Sequence, residues 1–526
     1  MAAWLLYQRC RDQTHNTTRL ERNPTMTLNI FVHRILLTST ACAAMLSACA
    51  QESELESAEQ VPDSNVVISE LAPIDLESEN PDAAQASEMR ARVAAGSQSQ
   101  GYYSFPYEAG TTVHVTNDAD SHTPANRIDM SGTSGGPYKV VAAAPGEVMF
   151  VQDSHNVNGG CENNNYVWIK HSNGEWSKYS HVAYHSASVN AGIEVGDWVD
   201  AGQFIGIESD IGCASGDHVH FEIAVPNDLS DPINPVGGYI KGVNLVPKVC
   251  GISGQTFVAG QNYVVPDVRP GASEYARHGL ADGDFQEVFN AATNCGYELV
   301  WNDGFDQNGT ATFNPVFKPR TPGVSTLSHR RLTEDQLDAK IDSYVDESGY
   351  SLVHIDAYNV GSLVRYAAIF KKGASIPQTT TYHGLSAAQH QNSFNALTGA
   401  GWRPRVVSVA GVGTQRTYAG VYTQGSIGSY MVRSFQTAAD YQTNYTDNKD
   451  AGRRLIYLNS YVYDGEPRYT AIWASSAETN VFARHGMSSA SYQSYWNSRT
   501  SAGWDTAAVS GIQTGGVTRY AAYWTK

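Results

Sequence analysis

The stretch His218-Val219-His220-Phe221-Glu222-Ile223 carries the densest chemistry in the chain. Side chains alternate across a β-strand, so His218 and His220 point to one face. Val219, Phe221 and Ile223 point to the other face, toward a core. Two imidazoles side by side can reach one bound ion and its water. Alone, such a pair reads more simply as two surface histidines; the rest of the segment changes the balance. Asp129 sits in Arg127-Ile128-Asp129-Met130. An acid among apolar residues is costly to bury unless it is paired or metal-bound. His122 lies seven positions earlier, and His181 follows Tyr179-Ser180 at the end of another apolar run. A catalytic zinc site typically has three protein ligands, His or carboxylate, and a water in the fourth position. The metal draws that water's pKa down toward about 7, and a nearby uncoordinated base handles protons.

The elements that must position these groups are strands. Short apolar alternations at Lys139–Ala143, Gly146–Val151, Tyr166–His171, Trp176–His181, Phe204–Ile207 and His218–Val225 are broken by Gly, Asn and Asp. They predict a mainly antiparallel β domain over residues 101–245. Asn173-Gly174 between two such runs is a hairpin signal.

Residues Tyr102 to about Val225 resemble the lysostaphin-type zinc endopeptidases, the family of LytM-like and β-lytic enzymes. The landmarks come in order: Phe105-Pro106-Tyr107 with Gly110, His122, Ile128-Asp129-Met130, then Val141-Ala142-Ala143 with Gly146-Glu147-Val148. Asn165-Tyr166-Val167 and Tyr179-Ser180-His181-Val182 follow, then Gly196-Asp197-Trp198-Val199 with Gly202-Gln203 and Gly206. Ser215-Gly216-Asp217-His218-Val219-His220-Phe221-Glu222 closes the series. The resemblance implies an antiparallel sheet groove in which His122, Asp129 and His220 hold one zinc ion. It implies that His181 and His218 are unligated histidines that orient or deprotonate the water and stabilise the tetrahedral intermediate. Many members space the first two ligands as His-x-x-x-Asp, whereas six residues separate His122 from Asp129. His114 and Asp118 fit the shorter spacing, but the landmarks that follow Asp129 fall in place and those after Asp118 do not.

The C-terminal half, residues 271–526, repeats itself. Arg365-Tyr366-Ala367-Ala368-Ile369-Phe370 returns at Arg416–Tyr422, Arg468–Trp473 and Arg519–Trp524, with a degenerate copy near Thr312-Phe313. The period of 51–53 residues gives five units. Each opens near an element like His278-Gly279-Leu280, His383-Gly384-Leu385 or His485-Gly486-Met487, with weaker versions at His329 and Arg433. Each unit reads as one helix and two strands, an α+β repeat. Ser386 with Gln389 and Thr333 with Gln336 are capping-box patterns. Gly399 and Gly401 mark a helix stop. In the third unit Val406–Gly411 and Thr417–Tyr422 read as strands. The units resemble a bacterial tandem repeat domain family found beside hydrolase domains. Their histidines read as structural, and their Tyr and Trp residues as repeat-to-repeat packing rather than a carbohydrate or peptide platform.

The N-terminal region reads as targeting. Residues 1–25 fit no signal and read as a start-site artefact, with Met26 the better start. His33 and Arg34, an apolar stretch from Ile35 to Leu46, and Leu46-Ser47-Ala48-Cys49 have the layout of an export signal over 26–48. The Leu-Ser-Ala-Cys ending resembles the lipobox of bacterial lipoproteins, which implies lipidation at Cys49 and an envelope location, at the outer membrane, periplasm or cell surface. Residues 49–100 carry eleven Asp or Glu between Gln51 and Arg90 and read as an acidic, disordered tether. The formal net charge of −17 speaks against non-specific nucleic-acid binding. Cys161, Cys213, Cys250 and Cys295 suggest two disulfides in an oxidising compartment, with three pairings open. Residues 246–270 read as a linker.

The function this implies is a zinc metalloendopeptidase acting on the cross-linking peptides of peptidoglycan. The alternatives are a non-catalytic LytM-like binding or regulatory protein of the envelope, or a secreted protease on Gly-rich proteins.

Overall fold

The computed structural model describes residues 96–475 and 480–526. The export signal, Cys49 and nearly all of the acidic tether lie outside the described residues. The first domain contains β1 (Gln98–Tyr103), β2 (Thr112–Asn117), β3 (Ile128–Gly132), β4 (Lys139–Val141), β5 (Gly146–Gln152) and β6 (Tyr166–Lys170). It continues with β7 (Trp176–Ser180), β8 (Trp198–Val199), β9 (Phe204–Ile207), β10 (Val219–Pro226), β11 (Gly242–Val249) and β12 (Asn262–Val264). The main sheet runs β12-β2-β3-β10-β7-β6-β5-β8, and β4 and β9 pair separately. Only the β1–β11 pairing is parallel. The six strand runs anticipated from the sequence form within one or two residues at each end. Asn173-Gly174 turns β6 into β7, with Gly174 at φ +80° and its N–H donating to the His171 carbonyl.

β10 is the centre of the sheet, and all its residues are buried. Val219, Phe221, Ile223 and Val225 pack on one side with Ile128, Met130, Val167, Ile169 and Tyr179. Each such side chain contributes about 1.5–3 kcal/mol on burial. A one-residue slip of β10 would turn these into the groove and its histidines into the core, so the apolar set fixes the register of the functional set.

Residues 246–270 are more than a linker. Val246–Val249 of β11 pair with β1, and β12 pairs with β2, so this stretch completes the sheet of the first domain. The disulfides are Cys161–Cys213 within the first domain and Cys250–Cys295 joining it to the first repeat.

The five repeats form five three-stranded blades, the first with its outer strand split in two. The inner strands are Tyr297–Gln307, Ser351–Val360, Trp402–Val412, Arg454–Tyr463 and Asp505–Thr514. Each lies beside the next, and the fifth lies beside the first, so the ring is closed like a propeller. The helices are α1 (Asp282–Asn294), α2 (Glu334–Ile341), α3 (Ala387–Gly399), α4 (Ala438–Asp450) and α5 (Ser489–Ser501). Both capping boxes read from sequence form on α2 and α3. A third, outer strand precedes the helix in each unit; Thr379–Leu385 includes His383-Gly384-Leu385, and Val481–Met487 includes His485-Gly486-Met487. Several of these histidines wedge against the preceding blade. His383 packs on Tyr366, His485 on Tyr441 and Tyr469, and His278 of the first blade on Tyr492 and Tyr520 of the fifth. The repeated tyrosines at 366, 418, 469 and 520 are buried, as packing residues are.

One polar position per blade closes the ring. The backbone N–H of Gly304 donates to Asp356, that of Ala357 to Ser408 and that of Val409 to Asn459. The N–H of Ser460 donates to Ser510, and that of Gly511 returns to Asp303. All five bonds measure 2.8–3.1 Å. Close approach is needed here: a Cβ at Gly411 would fall 1.8 Å from the Val462 carbonyl oxygen of the next blade.

Candidate metal centre

Strand pairing assembles the site. Asp129 on β3 is directly opposite His220 on β10, and Ser180 at the end of β7 is opposite His220 on the other side. Cross-strand partners have Cβ atoms about 4.5–5.5 Å apart, close enough to share one ion. His181 follows β7 with φ +64°, which turns its ring out of the strand direction toward the same face. His218 stands two residues before His220 on that face.

His122 arrives on the loop between β2 and β3. Asp118 organises this loop: its carboxylate accepts the backbone N–H groups of Asp120, Ser121 and Ala259. His122 N–H then donates to the Asp118 carbonyl. The long interval between His122 and Asp129 is therefore a built turn. It also separates the competing pair: His114 is bonded to Asn262 on the neighbouring strand, and Asp118 is a loop organiser.

His122, Asp129 and His220 each offer one ligand atom, and these atoms lie within 4.8 Å of one another. His122 Nδ1 donates to the Pro124 carbonyl at 2.7 Å, leaving Nε2 directed at Asp129 Oδ2, 3.3 Å away. His220 directs Nδ1 at Asp129 Oδ1, 3.1 Å away. Asn117 donates to Asp129 Oδ2 at 3.0 Å. Burial alone would raise the Asp129 pKa, but the hydrogen bonds and charges of His122 and His220 hold it well below the usual carboxylate range. For His122, burial opposes protonation, and the hydrogen bond and charge of Asp129 outweigh it, so its pKa is raised. Two imidazoles and a carboxylate with converging lone pairs are the donor set that a catalytic zinc ion takes.

His181 and His218 complete the cluster, with ring centroids 4.5 Å apart. His181 Nδ1 is tied to the Ile211 carbonyl and His218 Nδ1 to the Gly216 carbonyl, each at 2.9 Å. The Nε2 atom of each ring is thereby left for the groove; that of His218 is 3.7 Å from Asp129 Oδ1. Burial, reinforced by the neighbouring His218, pushes the His181 pKa down to about 3. His181 is thus a neutral imidazole at neutral pH.

Behind the ligands lies a buried charged layer given no role in the sequence reading. Glu222, two residues beyond His220 on the same face, pairs with Arg127 Nε at 3.0 Å and Lys178 Nζ at 3.2 Å, and accepts from Asn244 at 2.6 Å. Lys178 also lies over the Tyr239 ring at 4.0 Å, and Tyr239 flanks His220. The alternation that linked His218 to His220 extends to Glu222 and was the available signal. Arg127 and Lys178 had none, because sheet order alone brings them there.

Two histidines and an aspartate that could hold a metal ion, set on an antiparallel sheet, accord with the class that the family comparison gives, the peptidases. The chain carries a peptidase family M23 domain, matched over residues 123–235, followed by five polyglycine hydrolase-like structural repeats at 271–320, 323–373, 376–425, 428–476 and 480–526. The M23 match contains Asp129, His181, His218 and His220 and begins one residue after His122, whose place rests on the geometry above. Among solved structures, the chain is similar to the catalytic domain of a prophage-encoded M23 protein from Enterococcus faecalis, at 26% identity over 24% of this chain and 87% of that one (TM-score 0.18). It is also similar to the catalytic domain of lysostaphin from Staphylococcus simulans, at 24% identity over 27% and 86% (TM-score 0.16). A zinc-containing peptidase from Vibrio cholerae aligns at 20% identity over 23% of this chain and 36% of that one (TM-score 0.18). No curated protein matches the chain.

Proposed function

We propose that this protein is a zinc metalloendopeptidase that hydrolyses peptide bonds in peptidoglycan cross-links. The observation that carries the proposal is the convergence of three ligand atoms within 4.8 Å, with two further imidazoles on the same face. His122 Nε2, an Asp129 carboxylate oxygen and His220 Nδ1 would hold the metal. Bound zinc supplies Lewis acidity at the scissile carbonyl and lowers the pKa of a bound water. His181, kept neutral by burial and with Nδ1 tied to a carbonyl, presents an Nε2 lone pair that takes a proton from water and returns it to the leaving amine. His218 aims Nε2 into the same space, and in its protonated form that N–H donates to the developing oxyanion.

Peptidoglycan as substrate is supported by the M23 domain and by the export layout of residues 26–48. The same layout supports an envelope lipoprotein attached to the membrane through Cys49. Metal analysis of the purified protein with turnover of purified peptidoglycan tests the reading. One zinc per chain and released peptide fragments are expected. A metal-free protein without hydrolysis, unchanged by His220→Ala, would instead leave a binding or regulatory role. One observation favours a second substrate: the repeats are of the polyglycine hydrolase-like type. Product masses from Gly-rich proteins and from wall fragments, digested side by side, discriminate the two.

A further inference from the structure

His220 is asymmetric in a way that its role as a ligand does not require. Its Nδ1 faces Asp129, and its Nε2 faces inward, 3.8 Å from Glu222 Oε1. Both inner atoms are buried; His220 Nε2 makes no hydrogen bond, and Glu222 Oε1 has only the Lys178 ammonium, 3.2 Å away. A buried ring nitrogen without a partner is costly, and the neutral tautomer that carries its proton on Nε2 gives it one. An imidazole that gives Nδ1 to a metal carries its proton on Nε2. That proton points at Glu222 Oε1.

Glu222 is placed to receive it as a full anion. Its side chain and that of Lys178 have no exposed surface. Lys178 Nζ stands 3.2 Å from Oε1 and Arg127 Nε 3.0 Å from Oε2, so positive charge flanks the carboxylate on two sides. Arg127 Nε and the Asn244 amide occupy Oε2, which leaves Oε1 for His220 and Lys178. Arg127 immediately precedes β3, Lys178 is in β7, and Glu222 is in β10 between them. The clamp therefore spans the two strands that carry Asp129 and His220 and the strand that leads into His181.

We propose that Glu222, clamped by Arg127 and Lys178, is a positioning residue that fixes the His220 ring with Nδ1 toward the metal and raises its basicity through an Nε2–H···Oε1 hydrogen bond. Carboxylates behind metal-bound histidines act this way, and removing them typically costs about 10–100-fold in metal affinity. The inference rests on the zinc reading above. Lys178 then acts at second hand: it holds the carboxylate in place through the 3.2 Å ion pair while the Tyr239 face covers the ammonium.

The test is zinc affinity, measured by chelator competition on Glu222→Gln and on the double variant Lys178→Met/Glu222→Gln. The double change removes both charges of the closest pair and guards against a folding defect from an unpaired buried ammonium. Circular dichroism and the melting of the metal-free forms report folding independently. We expect both variants to bind zinc about 10–100-fold more weakly than wild type. In wild type loaded with zinc, nitrogen-15 histidine spectra should show a His220 Nε2 proton in slow exchange with solvent. A folded variant with wild-type zinc affinity, or a fast-exchanging Nε2 proton, overturns the positioning role and leaves the zinc peptidase intact. Wild-type protein that takes up no zinc overturns the peptidase reading itself.

Discussion

Asp129 and Glu222 in the first domain, and Asp303 and Asp356 at the repeat axis, are acids of one chain held away from water, yet their surroundings drive them in opposite directions. Asp129 has His122 and His220 beside it, and Glu222 has Lys178 and Arg127. Both are held ionised, with pKa values far below the usual range because nearby cations and hydrogen bonds outweigh burial. Asp303 and Asp356 receive only neutral donors: Gly511 N–H and Asn314 for one, Gly304 N–H, Ser408 and Asn459 for the other. Burial lifts Asp303 to about 7, and burial with the Asp303 charge lifts Asp356 well above the carboxylate range. In the first domain a buried acid is prepared to meet a cation. In the ring it is a polar spacer that closes a circle of backbone bonds, a task that Ser408, Asn459 and Ser510 perform in the other blades.

The same substitution should therefore have opposite consequences in the two regions. Asp129→Asn removes the charge the metal needs, and hydrolysis should fall to background with loss of zinc, as read by metal analysis and peptide release. Asp356→Asn keeps a polar group of the same shape and should change unfolding stability by less than about 1 kcal/mol. An Asp129→Asn enzyme that retains zinc, or a repeat region that unfolds on Asp356→Asn, breaks the comparison. His181→Ala sharpens it within the first domain. Zinc should remain, while kcat falls about 10²–10⁴-fold because the proton carrier is gone.

Truncation at the ring comes next in size. Asp356→Ala strands the Gly304 N–H and the Asn459 amide in a dry interior and leaves the Ser408 hydroxyl only its longer bond to the Ala357 carbonyl. A loss of about 2–4 kcal/mol in urea unfolding is expected. Peptidase activity under native conditions should be unaffected, which separates the ring's task from catalysis.

The first domain was legible in sequence because its signals are local. Alternation placed His218 and His220 on one face, and turn residues bounded the strands. The partnership of Glu222 with Lys178 and Arg127 was not legible, because it depends on the order β3-β10-β7, which no local pattern encodes. The stretch 246–270 was misread for a related reason: β11 and β12 pair with strands far away in sequence. In the repeats, the period of 51–53 residues exposed the units and their packing tyrosines. Ring closure stayed hidden because its five positions share geometry but not identity: Asp303, Asp356, Ser408, Asn459 and Ser510.

The pH dependence should also divide the molecule. An acid with a raised folded pKa binds its proton more tightly in the native state, so its contribution is complete below the unfolded value and is lost as pH rises through the folded one. For Asp303 that window runs from about 4 to about 7, and this group alone should lower the stability of the repeats across it by up to about 1.4 kcal/mol per pH unit, with Asp356, raised further, adding to the fall. Asp129 and Glu222 have depressed values, so their contribution is present above about 4.5 and is lost as acid protonates them. Unfolding of the full chain followed from pH 4 to 8 should show the repeats weakening toward neutrality while the first domain does not. Asp303→Asn should make that slope shallower, and the part due to the burial of Asp356 should remain. A slope of the same sign in both domains would show that the two kinds of buried acid do not differ as described.

The smallest effect should come from the blade exteriors, where water replaces what a side chain gives up. Ser386 caps α3: its Oγ accepts the Gln389 N–H at 3.5 Å, and Gln389 Oε1 accepts the Ser386 N–H at 2.9 Å. Both side chains are on the exposed face, so Ser386→Ala frees donors that solvent can still reach. A loss of about 1 kcal/mol in unfolding is expected, with zinc content and hydrolysis unchanged. The contrast with Asp356→Ala is the useful quantity. Both changes remove an acceptor for backbone N–H in the same fold, and they differ in access to water. Equal losses would mean that helix and axis are coupled tightly enough for the cap to act on ring closure. A cap loss well below the axis loss assigns the stability of the repeats to the five inner bonds.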